Sequence, residues 1–228
     1  MDIQEAKWNM RCVIYDCDGV LFDSLEANSR LYNDLCALGG RAPLKEEEIG
    51  YVHTHTVYEA LRFIFKDKGL GKEALELLKQ VDFRDYIVHL KMEPHLLQTL
   101  GRLKENGILR VVNTNRTTSM PHVMDRFNLW PFFDMVVTAL DVKNPKPHPE
   151  SIEKILQTLN LKREEVVFIG DSELDQKAAE SAGIKFIAYK NREIPSDAFI
   201  EDHLELFKFV GASLDTGRFI LKTPDVIS

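Results

Sequence analysis

Two acids one residue apart, Asp16 and Asp18, close the apolar run Cys12-Val13-Ile14-Tyr15, and Gly19 follows them. A second pair, Asp171 and Asp175, follows the apolar stretch Val166-Val167-Phe168-Ile169-Gly170. Between the pairs, Val111-Val112-Asn113 runs into Thr114-Asn115, and Lys146 lies in the run Pro145-Lys146-Pro147-His148-Pro149. Carboxylates brought close together repel unless a cation or a shared proton separates them. An oxygen-rich acid set suits magnesium, which takes a couple of carboxylates and fills its shell with water and phosphate oxygens. A hydroxyl, a lysine and helix-end amides suit phosphoryl oxygens. Asp16, Asp18, Thr114, Lys146 and Asp171 together point to phosphoryl transfer, where positioning and charge neutralisation do most of the catalysis.

Each of these residues also has an ordinary reading. Asp18-Gly19 makes a turn, Asp175 is an acid favoured at a helix start, Thr117 or Thr118 caps a helix while Thr114 is incidental, and Lys146 is a solvated lysine. The prolines around Lys146 argue for a side chain held in place.

The elements that must position these residues alternate. Apolar, β-branched runs ending at Tyr15, Asn113, Thr138, Gly170 and Tyr189 read as strands. Alternation along the first strand would bring Asp16 and Asp18 out on one side of its end. Helical periodicity covers 95–106, 118–127, 149–159, 175–182 and 203–210. Helices between strands imply right-handed crossovers and a parallel sheet covered on both faces, an α/β fold. Ligands bind such sheets at the strand ends.

Residues 24 to 91 break the alternation and read as all-helical. Leu31, Leu35 and Leu38 share one face of a first helix that Gly39-Gly40 ends, with Asp23 or Ser24 as its cap. Glu46 to Gly50 gives a turn of helix and then a loop, Tyr51-Val52-His53-Thr54-His55. Thr56 to Asp67 gives a second helix ended by Gly69, and Lys72 to about Lys91 a third. The chain thus divides into a core, 1–23 with 92–228, and an inserted helical unit, 24–91. Residues 212–228 carry no usable pattern.

The bulk properties exclude other classes. A net charge of −7 leaves no electrostatic footprint for nucleic acid or anionic lipid. A hydrophobic fraction of 44% over 228 residues suits a protein with an ordinary core. No apolar run approaches membrane-spanning length, and Met1-Asp2-Ile3-Gln4-Glu5 lacks a secretory pattern. The three cysteines, Cys12, Cys17 and Cys36, lack metal-ligand spacing and suit a reducing cytoplasm.

Across roughly residues 11 to 210 the chain resembles the haloacid dehalogenase superfamily, in particular its magnesium-dependent, helical-cap phosphatases of the phosphoglycolate phosphatase group. The first motif is matched by Asp16-Cys17-Asp18-Gly19-Val20-Leu21-Phe22-Asp23-Ser24, the second by Thr114-Asn115, the third by Lys146-Pro147-His148-Pro149 and the fourth by Gly170-Asp171-Ser172-Glu173-Leu174-Asp175. The resemblance implies Asp16 as nucleophile, Asp18 as acid/base, Lys146 as the site lysine, and Thr114 with the Asn115 amide as phosphate contacts. It implies magnesium held by Asp16, Asp18 (through its backbone carbonyl) and Asp171, with Asp175 in support. The first strand would lie between those ending at Thr114 and Asp171, and residues 24–91 would form a cap closing over the site. A small-molecule phosphate ester is the implied partner. A sugar-phosphate mutase ranks second, because the histidine such mutases carry in the first cap helix is replaced by Asn28. Dehalogenases and phosphonate-cleaving relatives are disfavoured by Asp18. A silent binding or regulatory module on the same fold is the alternative from another class. His53 and His55 are candidates for substrate selection.

Overall fold

The computed structural model describes residues 7–66 and 71–211. Its centre is strand β1 (Cys12–Tyr15), fully buried and flanked in parallel by β4 (Leu109–Asn113) and β6 (Val166–Gly170). With β5 (Met135–Val137), β7 (Lys185–Tyr189) and β8 (Ala198–Ile200) these make a six-stranded sheet in the order β5-β4-β1-β6-β7-β8. The central strands read as continuous apolar runs because both their faces are covered. Val13, Tyr15, Val112, Val167 and Ile169 enter one apolar cluster, and Cys12, Ile14, Val111, Val166 and Phe168 enter the other. Helices α6 (Leu96–Glu105) and α7 (Met120–Arg126) cover the first face, and α8 (Glu150–Thr158) and α9 (Glu173–Ala182) the second. Strand β8 carries no strong pattern and is not foreseen from the sequence. The last predicted helix is a 3-10 helix over His203–Lys208.

The segment between β1 and α6 holds a two-stranded antiparallel ribbon, β2 (Phe22–Asp23) with β3 (Lys91–Met92), and, among the described residues between its strands, the helices α1 (Leu25–Leu38), α2 (Glu46–Thr54), α3 (Val57–Ile64), α4 (Gly71–Leu77) and α5 (Arg84–Ile87). Leu31, Leu35, Val52, Leu61, Ile64 and Phe65 form a third apolar cluster here. Three expectations are corrected. Residues 51–54, read as loop, continue α2, which starts on a bond from the Lys45 N–H to the Glu48 carboxylate. The long third helix is broken into α4, a 3-10 turn over Leu78–Gln80 and α5, because the Asp82 carboxylate accepts the Arg84 N–H and restarts the chain there. Leu38, assigned to the buried face, is half exposed. Ser24 stands at the start of α1, where the Asp23 carboxylate accepts the Leu25 N–H. Asp67, Gly69 and the patternless tail from 212 lie outside the described residues.

Candidate active site

β1, β4 and β6 end level with one another, since Tyr15 pairs with Val112 on one side and Ile169 on the other. The chain leaving each strand therefore delivers Asp16, Thr114 and Asp171 to one edge of the sheet. The Asp16 N–H still bonds the Ile169 carbonyl, which keeps its Cα in register after the strand ends. Beyond it the chain turns tightly, with the N–H groups of Leu21 and Phe22 on the Cys17 carbonyl and the Gly19 N–H on that of Phe22. Gly19 sits at φ 75°, and a Cβ there would fall 1.9 Å from Asp171 Oδ2. Only glycine permits this approach of the two motifs.

Lys146 is the hinge of the charge arrangement. Its side chain is 3% exposed, and its ammonium reaches Asp16 Oδ1 at 2.8 Å, Asp175 Oδ1 at 2.6 Å and the Asn113 carbonyl at 3.0 Å, so all three of its donors are engaged. The solvated-lysine reading fails. Burial alone would lower its pKa, and the two carboxylates more than reverse that. Lys143 donates only its backbone N–H, to Glu150, at the surface. Asp175 combines both readings offered for it: Oδ2 accepts from Ser172 in a capping box at the start of α9, and Oδ1 holds Lys146.

Carboxylate oxygens of Asp16, Asp171 and Asp175 lie within 4.8 Å of one another. Burial, and then the Asp175 charge, push Asp16 up to about 7, and burial with the Asp175 and Asp16 charges puts Asp171 well above its usual value. The Asp171 carboxylate meets no hydrogen-bond donor among the described residues; its backbone carbonyl is held by Asn191. Three acids with one internal cation, and one carboxylate without a donor, fit a divalent cation.

Asp18 does not join this cluster, contrary to the expectation that both first-motif acids emerge together. The strand ends before the pair, and the turn sends the second carboxylate elsewhere. Arg116 grips it by both oxygens, Nε to Oδ2 at 2.7 Å and a terminal nitrogen to Oδ1 at 2.6 Å. Burial would raise Asp18, but the guanidinium outweighs it and holds the carboxyl below its ordinary value. The Asn28 amide donates to Oδ1 at 3.3 Å and meets His53 Nδ1 at 3.1 Å. Arg116 is absent from the sequence reading; its only signal is a cation directly after Thr114-Asn115, and such cations are common on surfaces.

Thr114 is buried, and its hydroxyl accepts the Arg116 N–H, so the hydroxyl positions the loop leading to α7. The Asn115 side chain donates to the Lys146 carbonyl at 3.1 Å and the Thr54 carbonyl at 3.4 Å, tying second motif, third motif and α2 together. Neither Thr117 nor Thr118 caps α7, which Ser119 precedes without a side-chain bond. The two histidines part. His53 lies on α2 beside Asn28, while His55 ends that helix, its Nδ1 2.9 Å from the Tyr51 carbonyl and its ring stacked on Tyr51. A cavity of about 50 Å³ separates α1, α2 and α3 from the 115–119 loop, lined by Asn28, His53, Thr54, Arg116 and Thr117 on its polar side. Cys12, Cys17 and Cys36 are buried and unpaired, as expected.

The model of the haloacid dehalogenase-like hydrolase family matches residues 13–189. A putative pyrophosphatase PpaX of Caldanaerobacter subterraneus is 30% identical over 214 residues, covering 87% of this chain and 93% of the relative. A phosphoglycolate phosphatase of Rhodobacter capsulatus is 27% identical, covering 82% and 88%. Among solved structures, a hydrolase of the same superfamily (subfamily IA) from Geobacter sulfurreducens superposes with TM-score 0.74 at 38% identity, covering 90% of this chain and 99% of that one. A β-phosphoglucomutase from Clostridium difficile superposes with TM-score 0.76 at 19% identity, a likeness of fold.

Proposed function

This chain belongs to the haloacid dehalogenase-like hydrolase family, and from that premise we propose that it is a magnesium-dependent phosphatase acting on a small phosphomonoester. The observation that carries this reading is the buried bridge Asp16–Lys146–Asp175 beside the donor-free carboxylate of Asp171. Asp16, Asp171 and the Asp18 backbone carbonyl would hold the metal, with Asp175 supporting through Lys146. When bound, it supplies the positive charge that lets the clustered acids stay ionised and offsets the charge of the phosphoryl group.

In this reading Asp16 attacks phosphorus in line and forms an aspartyl phosphate. Lys146 fixes the attacking carboxylate and favours its ionised form, while Thr114 and the backbone N–H of Asn115 form the phosphate wall. Asp18, on the side of α1 and α2, gives a proton to the leaving oxygen and takes one from the water that later attacks the phosphoenzyme. Residues 24–91 are the cap in this scheme. The contacts of Asn28 with Asp18 and of Thr54 with Asn115 support this role, in which closure would exclude water. The names of the relatives make phosphoglycolate and pyrophosphate the first candidates. Asn28 carries no titratable group opposite Asp18, which supports hydrolysis over the mutase reading.

Turnover of p-nitrophenyl phosphate with and without magnesium, followed by a panel of phosphoglycolate, pyrophosphate, glycerol phosphate and glucose phosphates, tests this. Release of phosphate only with the metal, fastest from a short-chain ester, is expected. Isomerisation of a sugar phosphate without release of phosphate would instead establish the mutase, and inertness toward every ester a silent module.

A further inference from the structure

From the fork on Asp18 we propose that Arg116 is the positioning residue of the acid/base: it acts through Asp18, holding that carboxyl at the leaving-group side of the site in both half-reactions. The inference rests on the phosphatase reading above and adds a residue to it.

Both oxygens of Asp18 are engaged in a parallel two-bond pair with Arg116, at 2.7 and 2.6 Å, and the partners' side chains are 12% and 14% exposed. A fork of this kind fixes a carboxylate in angle as well as distance, which a lysine cannot do. The cation is itself located: its backbone N–H is bonded to Thr114 Oγ1, and its N–H neighbour in sequence, Asn115, is tied to the Lys146 carbonyl. The guanidinium thus hangs from the same loop that forms the phosphate wall. It also lines the cavity under α1 and α2, next to Asn28 and His53. Asp16 has its own cation in Lys146, so the two first-motif acids are held by separate partners from separate loops.

This division suits the proton inventory of the reaction. While the phosphoenzyme waits, ionised Asp18 is the base, and one oxygen must turn from its Arg116 donor to take a proton from the attacking water as the oxygen–phosphorus bond of the product phosphate forms and the Asp16–phosphorus bond breaks, freeing the Asp16 carboxylate. The other oxygen still accepts from Arg116, because a protonated carboxyl keeps acceptor capacity. In the first half-reaction a protonated Asp18 gives its proton to the leaving oxygen as that oxygen's bond to phosphorus breaks and the Asp16–phosphorus bond forms. Asp18 then recovers its second bond to the guanidinium. One water and one ester yield one alcohol and one phosphate, and no further reactant is needed.

A residue that acts through the general acid has a signature in the leaving group. Nitrophenolate departs without a proton, whereas an alkoxide needs one. The test measures kcat and KM for p-nitrophenyl phosphate and for the alkyl phosphate that the wild type hydrolyses fastest, in wild type, Arg116→Met, Arg116→Lys, Asp18→Asn and the Asp18→Asn/Arg116→Met double variant, with thermal midpoints as a check of folding. Arg116→Met is expected to lower kcat/KM, which reports transfer of the phosphoryl group to Asp16, by at least tenfold more for the alkyl ester than for the aryl ester, consistent with the about 10²–10⁴-fold that acid–base catalysis contributes. Arg116→Lys, which keeps the charge and loses the fork, should fall between wild type and Arg116→Met in the same leaving-group order, and it carries the test if Arg116→Met does not fold. In the Asp18→Asn background the second substitution should cost no more than about twofold, since a partner that works through Asp18 has nothing left to position. Equal losses of kcat/KM on both esters, or a full additive loss in the double variant, would overturn the proposal in favour of a structural ion pair. A loss confined to KM of the alkyl ester would make Arg116 a substrate contact instead. A wild type inert toward both esters would remove the phosphatase reading first, and this one with it.

Discussion

Asp16 and Lys146 carry the sharpest expectations at the level of single residues. Asp16→Asn keeps the shape of the side chain but offers a poor nucleophile and a weaker metal ligand, so turnover should drop below detection in a steady-state phosphate-release assay. Wild-type-like activity would take Asp16 out of the reaction. Beryllium fluoride with magnesium, a mimic of the aspartyl phosphate, should inhibit the wild type and leave no trace on Asp16→Asn in a binding titration. Lys146→Ala removes the one ammonium between two buried acids, and breaking a buried ion pair costs about 3–5 kcal/mol. Activity and stability should therefore fall together in that variant. Lys143→Ala, at a surface side chain outside this network, should stay within about 0.5 kcal/mol of wild type in urea unfolding and keep its turnover. The reverse pattern would place the third motif one turn of loop earlier.

Helix α2 separates two histidines that look equivalent in the sequence. His53 faces Asn28 and, through it, the Asp18 carboxylate, whereas His55 closes the helix against Tyr51. His53→Ala should shift the ratio of kcat/KM between alkyl substrates, by about 1.5–3 kcal/mol if a charged hydrogen bond to substrate is lost. His55→Ala should leave that ratio alone and lower the thermal midpoint, because it removes a stacked ring and the contacts at a helix end. Equal effects of the two on substrate choice would mean that the end of α2 moves as a unit over the site. The β2–β3 ribbon matters at this scale too. It joins the first-motif turn to the strand that returns from α5, and the Glu93 N–H bonds the Leu21 carbonyl, so both ends of the α1 to α5 segment are tied to the turn that carries Asp18 and Gly19.

For the whole molecule, the acid cluster is a cost that the fold carries until a cation arrives. Asp16, with a folded pKa near 7, binds its proton more tightly in the folded chain than in the unfolded one, where it titrates at about 3.9. That contribution favours the metal-free fold below about pH 4 and is lost as pH rises to about 7. The Asp18 carboxyl, held low by Arg116, contributes in the opposite sense, with stability present at neutral pH and lost in acid. Magnesium should therefore raise the thermal midpoint little at pH 5.5 and clearly at pH 8, by roughly 5–10 °C at a hundred times its dissociation constant, the equivalent of about 2.7 kcal/mol. Differential scanning fluorimetry with and without chelator at the two pH values measures this. A shift that is larger at acid pH would show that the metal does not compete with the protons of this cluster. No helix among the described residues is long and apolar enough to cross a membrane.

Much of this architecture was legible in the chain alone. The buried strands announce themselves by apolar runs because both faces of a parallel sheet must be covered, and the glycines, acids and prolines at their ends are local necessities of turns and caps. The order of the four motifs stands in the chain itself, and the central place of β1 is what the family resemblance implies and the sheet order bears out. What the tertiary structure alone decided is which charge meets which. Arg116 and Asp18 are 98 residues apart; Asp175 reads as a helix-start acid until Lys146 comes to lie against it; the long third helix is broken at Asp82 by a local side-chain bond that competes with helical periodicity. A carboxylate's partner is set by loops that converge only when the sheet closes its register, and spacing along the chain carries no record of that distance.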